Sequence, residues 1–236
     1  MLVAAAVCPC PPLLVPEVAA GAAHELDAAR AACAEALRRL GAARPDRLVV
    51  VGPAGAGARS DRHPHGSTGS FREFGVDVEV RLGAGEPVPG PLPAALAVAA
   101  RLLAEAGFED VPVEGLAVGE GLQPSACREL GARASAEDAR LGLLVMGDGS
   151  ACRTVKAPGY FDERATAFDA EAARALGAAD TGALAALDDV LARELKVSGR
   201  APWQILAGAA EQAGLRGELL FEDAPYGVNY LVAAWT

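Results

Sequence analysis

Lysine is scarce in this chain, histidine occurs only 3 times in 236 residues, and aromatic residues make up 5%. Each scarcity removes a class of function. A formal charge of −10 with so few aromatics leaves neither clustered cations for nucleic-acid phosphates nor the ring faces on which bases stack. The same balance argues against an anionic membrane surface as partner. No apolar run reaches the ~20 residues needed to cross a bilayer. The first residues carry no basic segment and Pro9 cuts the apolar stretch that follows, so a secretory signal peptide is not expected. Five cysteines (Cys8, Cys10, Cys33, Cys127, Cys152) are an odd set in a chain of this size. They read as reduced thiols of a cytoplasmic protein rather than a disulfide framework.

What is present is an apolar fraction of 52%, enough for a sizeable core. Strand and helix signals alternate through the first half. Leu2–Val7 and Arg47–Val51 read as strands, the second a continuous apolar run of the kind buried in parallel sheets. Between them Leu26, Ala29, Cys33, Leu37 and Leu40 recur at helical spacing, with Gly41 as a stop. Further strands are expected at 76–80, 111–118, 141–146, 219–222 and 228–235. Helices are expected at 92–106, 126–136, 168–176, 181–195 and 202–213, the last with Pro202 in its first turn. The stretch 59–70 is polar and reads as a long exposed loop. No linker or internal repeat divides the chain. The pattern defines an α/β fold: a single domain over 1–236, with a mostly parallel central sheet and helices on both faces.

Several segments carry residues capable of chemistry. Cys8-Pro9-Cys10-Pro11-Pro12 ends the first strand in a proline-stiffened loop, which proline keeps from continuing the strand or opening a helix within itself. Its thiols are either a metal or thiolate site or two small packed residues, and a spacing of one is poor for two ligands on one zinc. The glycine-rich segment 52–57 lacks the Lys-Ser/Thr of a phosphate-binding loop, and Pro53 removes an amide, so it reads as a tight turn. His63 and His65 are either metal ligands or solvated loop residues. Asp148 and Ser150 follow a strongly apolar strand and would bind a substrate or orient a base; both are also good turn residues. Asp223 follows an apolar strand in a Pro/Gly turn.

Taken together, the first strand with Cys10-Pro11-Pro12-Leu13-Leu14-Val15-Pro16-Glu17, the segment Leu48–Pro53, the run Gly147–Thr154 with Ala157-Pro158-Gly159-Tyr160, and Pro225-Tyr226-Gly227-Val228-Asn229-Tyr230 resemble the class III extradiol ring-cleavage dioxygenase subunit-B family, with its Memo-like relatives. The resemblance covers nearly the whole chain and rests on the order and spacing of the segments. It implies a non-haem Fe(II) site made of one His from the first loop, one from the loop after the second strand and a Glu from a late loop, with a further His as acid or base. This chain departs from that set at each place. Cys10 stands for the first His, Ala54 for the second and Ala151 for the acid/base His; the Glu position carries Asp223, or Glu222 if shifted by one.

The resemblance therefore implies a fold without its iron chemistry, with no cofactor. The pocket of Cys10, Pro11, Ala54, Asp148, Ser150 and Tyr226 would bind a small molecule or support a partner protein. The alternative is a metal-dependent oxidoreductase with a rebuilt site for Fe(II) or another divalent metal, using Cys10, Asp223 and His63 or His65, with Cys152 as a further thiol. Metal-free thiol chemistry at Cys10 ranks third. Relatives pair as homodimers or with a second subunit.

Overall fold

The structure, a computed structural model, describes residues 1–55, 57–108, 110–136 and 139–236; Ala56 of the glycine-rich segment lies outside them. The chain runs through β1 (Leu2–Cys8), α1 (Pro16–Ala19), α2 (Asp27–Ala42), β2 (Arg47–Pro53), β3 (Asp61–His63), β4 (Thr68–Ser70), β5 (Glu79–Arg81), α3 (Ala94–Glu105), β6 (Val113–Val118), α4 (Pro124–Ser135), β7 (Leu141–Met146), α5 (Arg164–Ala178), α6 (Thr181–Ala185), α7 (Asp189–Glu194), α8 (Arg200–Ala210), β8 (Gly217–Asp223) and β9 (Tyr230–Trp235). A seven-stranded sheet has the order β3-β6-β2-β7-β1-β9-β8, and β4 and β5 form a separate pair. Within it β6, β2, β7 and β1 are parallel, and β3 and β9 run against their neighbours. Among the described residues no helix is long and apolar enough to cross a membrane.

The central strands are apolar throughout because both faces of the sheet are covered. Along β1, Ala4, Ala6 and Cys8 enter one core while Leu2, Ala5 and Val7 enter the other. The first core is closed by α2 and α3 through Cys33, Leu37, Leu40, Leu96 and Leu103. The second is closed by α4, α5 and α8 through Cys127, Phe168, Leu176, Trp203 and Ile205. The α/β architecture, the mostly parallel sheet and helices on both faces thus stand as the sequence indicates.

Four local expectations need correction. The proline-rich loop after β1 does contain helical turns: a 3-10 turn at Pro12–Leu14 and α1, each opening on a proline at the first helical position. There the missing N–H would have had no partner anyway. The stretch 59–70 is not wholly loop. It carries β3, paired antiparallel to β6, and β4, paired with β5, edge pairings of backbone that leave no apolar alternation to read. The strand expected over 76–80 is confined to β5. The helix expected over 181–195 is two, because Asp188 interrupts it: its Oδ1 accepts from the N–H groups of Val190 and Leu191 at 2.8 and 2.9 Å and starts α7 anew.

The topology fixes where a ligand would meet the sheet. From β1 the chain crosses through α2 on the first-core side, and from β7 it leaves through α5 on the other. The connections leaving β7 therefore run over the opposite face from those leaving its two neighbours β1 and β2. The loops after β1 and β7 carry Cys10 and Asp148 at the C-terminal edge of the sheet, the edge where open α/β folds take ligands.

Candidate functional site

Between the loops after β1 and β7 the backbones approach as closely as glycine allows. Gly147 N–H donates to the Cys8 carbonyl at 3.0 Å, and a Cβ on Gly147 would lie 2.4 Å from Gly199 Cα. The approach brings the α7–α8 loop onto the β7 loop. Asp148 N–H donates to Ser198 Oγ at 2.9 Å, and the Asp148 carbonyl accepts from Gly199 N–H at 2.9 Å. With its backbone so held, Asp148 turns its carboxylate to the β1 loop: Oδ1 accepts from Cys10 N–H at 2.8 Å and Oδ2 lies 3.7 Å from Cys10 Sγ. The thiol is also 3.9 Å from Ser198 Oγ.

The electrostatics follow from burial. Desolvation raises the Asp148 carboxyl to about 6, against the opposing pull of its two hydrogen bonds from Cys10. The Cys10 thiol is pushed well up, first by burial and then by the Asp148 charge. The Tyr230 phenol is raised by burial and next by Asp148. The Tyr226 phenol donates to Glu25 Oε2 at 2.8 Å. The cluster offers a protonated thiol, a carboxyl that exchanges its proton near neutrality and a serine hydroxyl. It suits hydrogen bonding to a small polar molecule and lacks the depressed pKa that a nucleophilic thiolate requires.

The other residues expected in the pocket are placed differently. Ser150 is fully buried and does not line it. Its N–H and Oγ donate to Asp169 Oδ1 and Oδ2 at 2.8 and 2.6 Å, and Arg153 Nη1 joins Oδ2 at 3.1 Å. This buried unit tethers the β7 loop to α5, so Ser150 serves the scaffold. Ala151, at the acid/base position implied by the resemblance, is held on its backbone: N–H to the Leu195 carbonyl at 3.0 Å and C=O from Gly159 N–H at 2.8 Å. Pro11 is half-buried beside Cys10. Ala54 sits just past β2, its N–H donating to the Val118 carbonyl at 2.9 Å.

The rebuilt metal site does not assemble. His63 lies on β3, four strand spacings from β1 in the sheet order, roughly 19 Å at ordinary spacing, with its Nε2 buried and unpartnered. His65 is structural. Its Nδ1 accepts from Val113 N–H at 3.1 Å, and its ring packs between Gly83 and Gly85, where added Cβ atoms would each lie 2.3 Å from a ring carbon. Asp223 ends β8, two spacings from β1, and its exposed carboxylate accepts from Ala224 N–H at 2.7 Å. Glu222 is exposed on the same strand. The buried Cys152 thiol donates to the carbonyls of Gly159 and Leu195 at 3.5 and 3.4 Å. Among the described residues no three His, Cys, Asp or Glu side chains gather as a metal would need. With Ala54 lacking any donor atom and Cys10 committed to Asp148 and Ser198, these residues do not fit a two-histidine, one-carboxylate iron centre.

Ser198 and the two residues after it went unread in the sequence. The signal was Ser198-Gly199 directly before a helix with proline in its first turn, a pattern that marks a tight junction without saying what it abuts.

No protein-family model matches the chain and no curated protein matches it. Among solved structures it is similar to the uncharacterized protein JW3007 from Escherichia coli K12, with 14% sequence identity, 99% of each chain covered and a TM-score of 0.56. At that identity the likeness is one of fold.

Proposed function

We propose that this protein is an extradiol-dioxygenase-like, subunit-B-type pseudoenzyme. In this reading the iron site is lost and the crevice between β1 and β7 binds a small molecule. The observation that carries the reading is the Cys10–Asp148 contact at the C-terminal edge of the sheet. The position that the resemblance gives to an iron-binding histidine holds a thiol raised in pKa and engaged by a carboxylate and a serine. The absence of a donor at Ala54 and of a proton-transfer group at Ala151 supports the same reading. A cytoplasmic location, and pairing with a second copy or a second subunit, belong to the proposal as well.

The test uses catechol as probe and Fe(II) as challenge. Catechol binds the purified protein and shifts its tryptophan fluorescence or melting temperature; Cys10→Ser and Asp148→Asn weaken that binding. Added Fe(II) produces no ring-cleavage chromophore. About one iron held per chain and lost in Cys10→Ala, or catechol cleavage by the Fe(II)-treated protein, overturns the proposal.

A further inference from the structure

Beside the Cys10–Asp148 pair, on the far side of Ser198, lies a cavity of about 350 Å³ whose charged and polar lining is Glu120, Asp189, Arg193, Lys196, Ser198 and Arg200. Three of these are cations and two are carboxylates, in a chain whose formal charge is −10. Arg193 is already paired with Asp189 at 3.2 Å. Among the described residues, Lys196 reaches only the Pro158 carbonyl, at 3.3 Å.

Arg200 is the unusual member. It is 4% exposed, yet among the described residues its oxygen partners are neutral: the carbonyls of Leu122 (2.6 Å) and Glu120, and Gln204 Oε1 at 3.1 Å. Burying a guanidinium with no carboxylate in hydrogen-bond contact is costly. Arg200 is moreover the first residue of α8, whose N-terminus has no side-chain cap. A cation at that end of a helix faces the positive pole of the macrodipole, the opposite of the favoured arrangement. Both features are relieved by a single negative group in the cavity, which would meet the Arg200 guanidinium with Lys196 at the exposed rim.

We infer that this cavity binds the oxyanion, carboxylate or phosphate, of a small organic anion. The inference goes beyond the small-molecule reading above, adding a second site beside the Cys10–Asp148 pair. Ser198 joins the two places, since its hydroxyl lies 2.9 Å from Asp148 N and 3.9 Å from Cys10 Sγ. A ligand anchored by its anionic group at Arg200 would reach past Ser198 toward the thiol and carboxyl. A cavity of this size is at the small end for ligand sites.

Benzoate and inorganic phosphate, titrated separately by calorimetry, test the inference. Trp203 packs directly on Gly199, where an added Cβ would lie 2.3 Å from the ring, so its fluorescence gives a second readout. One saturable site is expected, with benzoate preferred if the native group is a carboxylate and phosphate if it is a phosphate. Lys196→Gln, at the exposed rim, should weaken binding several-fold and Arg200→Gln about tenfold or more, as loss of a charge-assisted contact does. Glu120→Gln, also at the exposed rim, should tighten it. Because Arg200→Gln risks the packing of α8, the two rim variants decide. Binding of neither anion by the folded protein, or binding indifferent to both rim substitutions, overturns the inference. Catechol, which is uncharged, separates the two proposals. Catechol binding without anion binding sinks the cavity alone; rim-dependent anion binding without catechol binding sinks the crevice reading and leaves the cavity standing.

Discussion

The Cys10 N–H donates to Asp148 Oδ1 at 2.8 Å while the Cys10 thiol lies 3.7 Å from Oδ2 of the same carboxylate. One carboxylate thereby holds both the backbone and the side chain of the residue that closes β1. The contact spans 138 residues of sequence and exists because β1 and β7 are parallel neighbours in the sheet. It makes thiol and acid a single unit, in which each group's protonation depends on the other.

The first consequence is chemical quiet at Cys10. Its thiol is buried and raised in pKa, with the Asp148 charge opposing ionisation. In the native protein at pH 7.5, iodoacetamide should therefore leave Cys10 unmodified on the timescale on which glutathione is consumed. Asp148→Asn removes the opposing charge and should speed Cys10 labelling. Peptide mass spectrometry after a quench reads both. Labelling of native Cys10 as fast as glutathione would show that the thiol is an ionised, accessible nucleophile after all.

The second concerns pH. A carboxyl raised to about 6 by desolvation favours the folded state most when protonated. Its contribution is fully present below the unfolded value, about 4, and is lost as pH rises through 6. Asn mimics the protonated acid at every pH. The melting temperature of Asp148→Asn relative to the parent should therefore climb between pH 4.5 and pH 7.5. A difference that is flat, or that falls over this interval, contradicts the assignment.

These two residues also mark how far the sequence could be read. The apolar run 48–51 and the strand 141–146 announced a two-sided parallel sheet, since each residue type there is explained by burial on one face or the other. Cys10 and Asp148 were legible as candidates because each follows such a strand. That they touch was not legible, because strand order depends on crossovers that leave no local trace. Ser150 is illegible for a related reason: a serine after a strand looks alike whether it faces a ligand or, as here, the buried carboxylate of Asp169. His63 and His65 are two residues apart in sequence, but His63 lies on β3 and His65 in the turn after it, so their roles differ. Ser198-Gly199 before a helix marks a junction without saying what it abuts, and a buried arginine bonded to carbonyls has no sequence pattern.

The Ser150–Asp169–Arg153 unit should matter for stability. Asp169 is fully buried while Arg153 keeps a quarter of its side chain in water, at 26%. Removing the carboxylate strands two donors of the Ser150 residue and leaves a partly solvated guanidinium. Asp169→Ala should therefore cost about 2–4 kcal/mol, below the upper end for a broken buried pair because Arg153 is rehydrated. Ser150→Ala should cost less, about 1–2 kcal/mol. Urea denaturation measures both. A loss under about 0.5 kcal/mol for Asp169→Ala, the range of an ordinary surface change, would mean the unit is incidental.

His65 offers the clearest separation of a structural histidine from a ligand. Its Nδ1 accepts the Val113 N–H at the start of β6, so the imidazole ties the segment after β3 to the central sheet. Gly83 adopts φ +77°, and a Cβ there would meet Cε1 at 2.3 Å and Nδ1 at 2.4 Å. His65→Ala deprives a backbone donor of its acceptor and should cost about 1–3 kcal/mol. Gly83→Ala adds backbone strain of about 1–3 kcal/mol to a clash with the ring. In the His65→Ala background the ring is gone and only the strain remains, so Gly83→Ala should cost less there. The double-mutant cycle, followed by urea denaturation, should give a coupling of about 0.5–3 kcal/mol. Strict additivity would show that ring and glycine do not meet, and would return His65 to the set of free histidines available to a ligand.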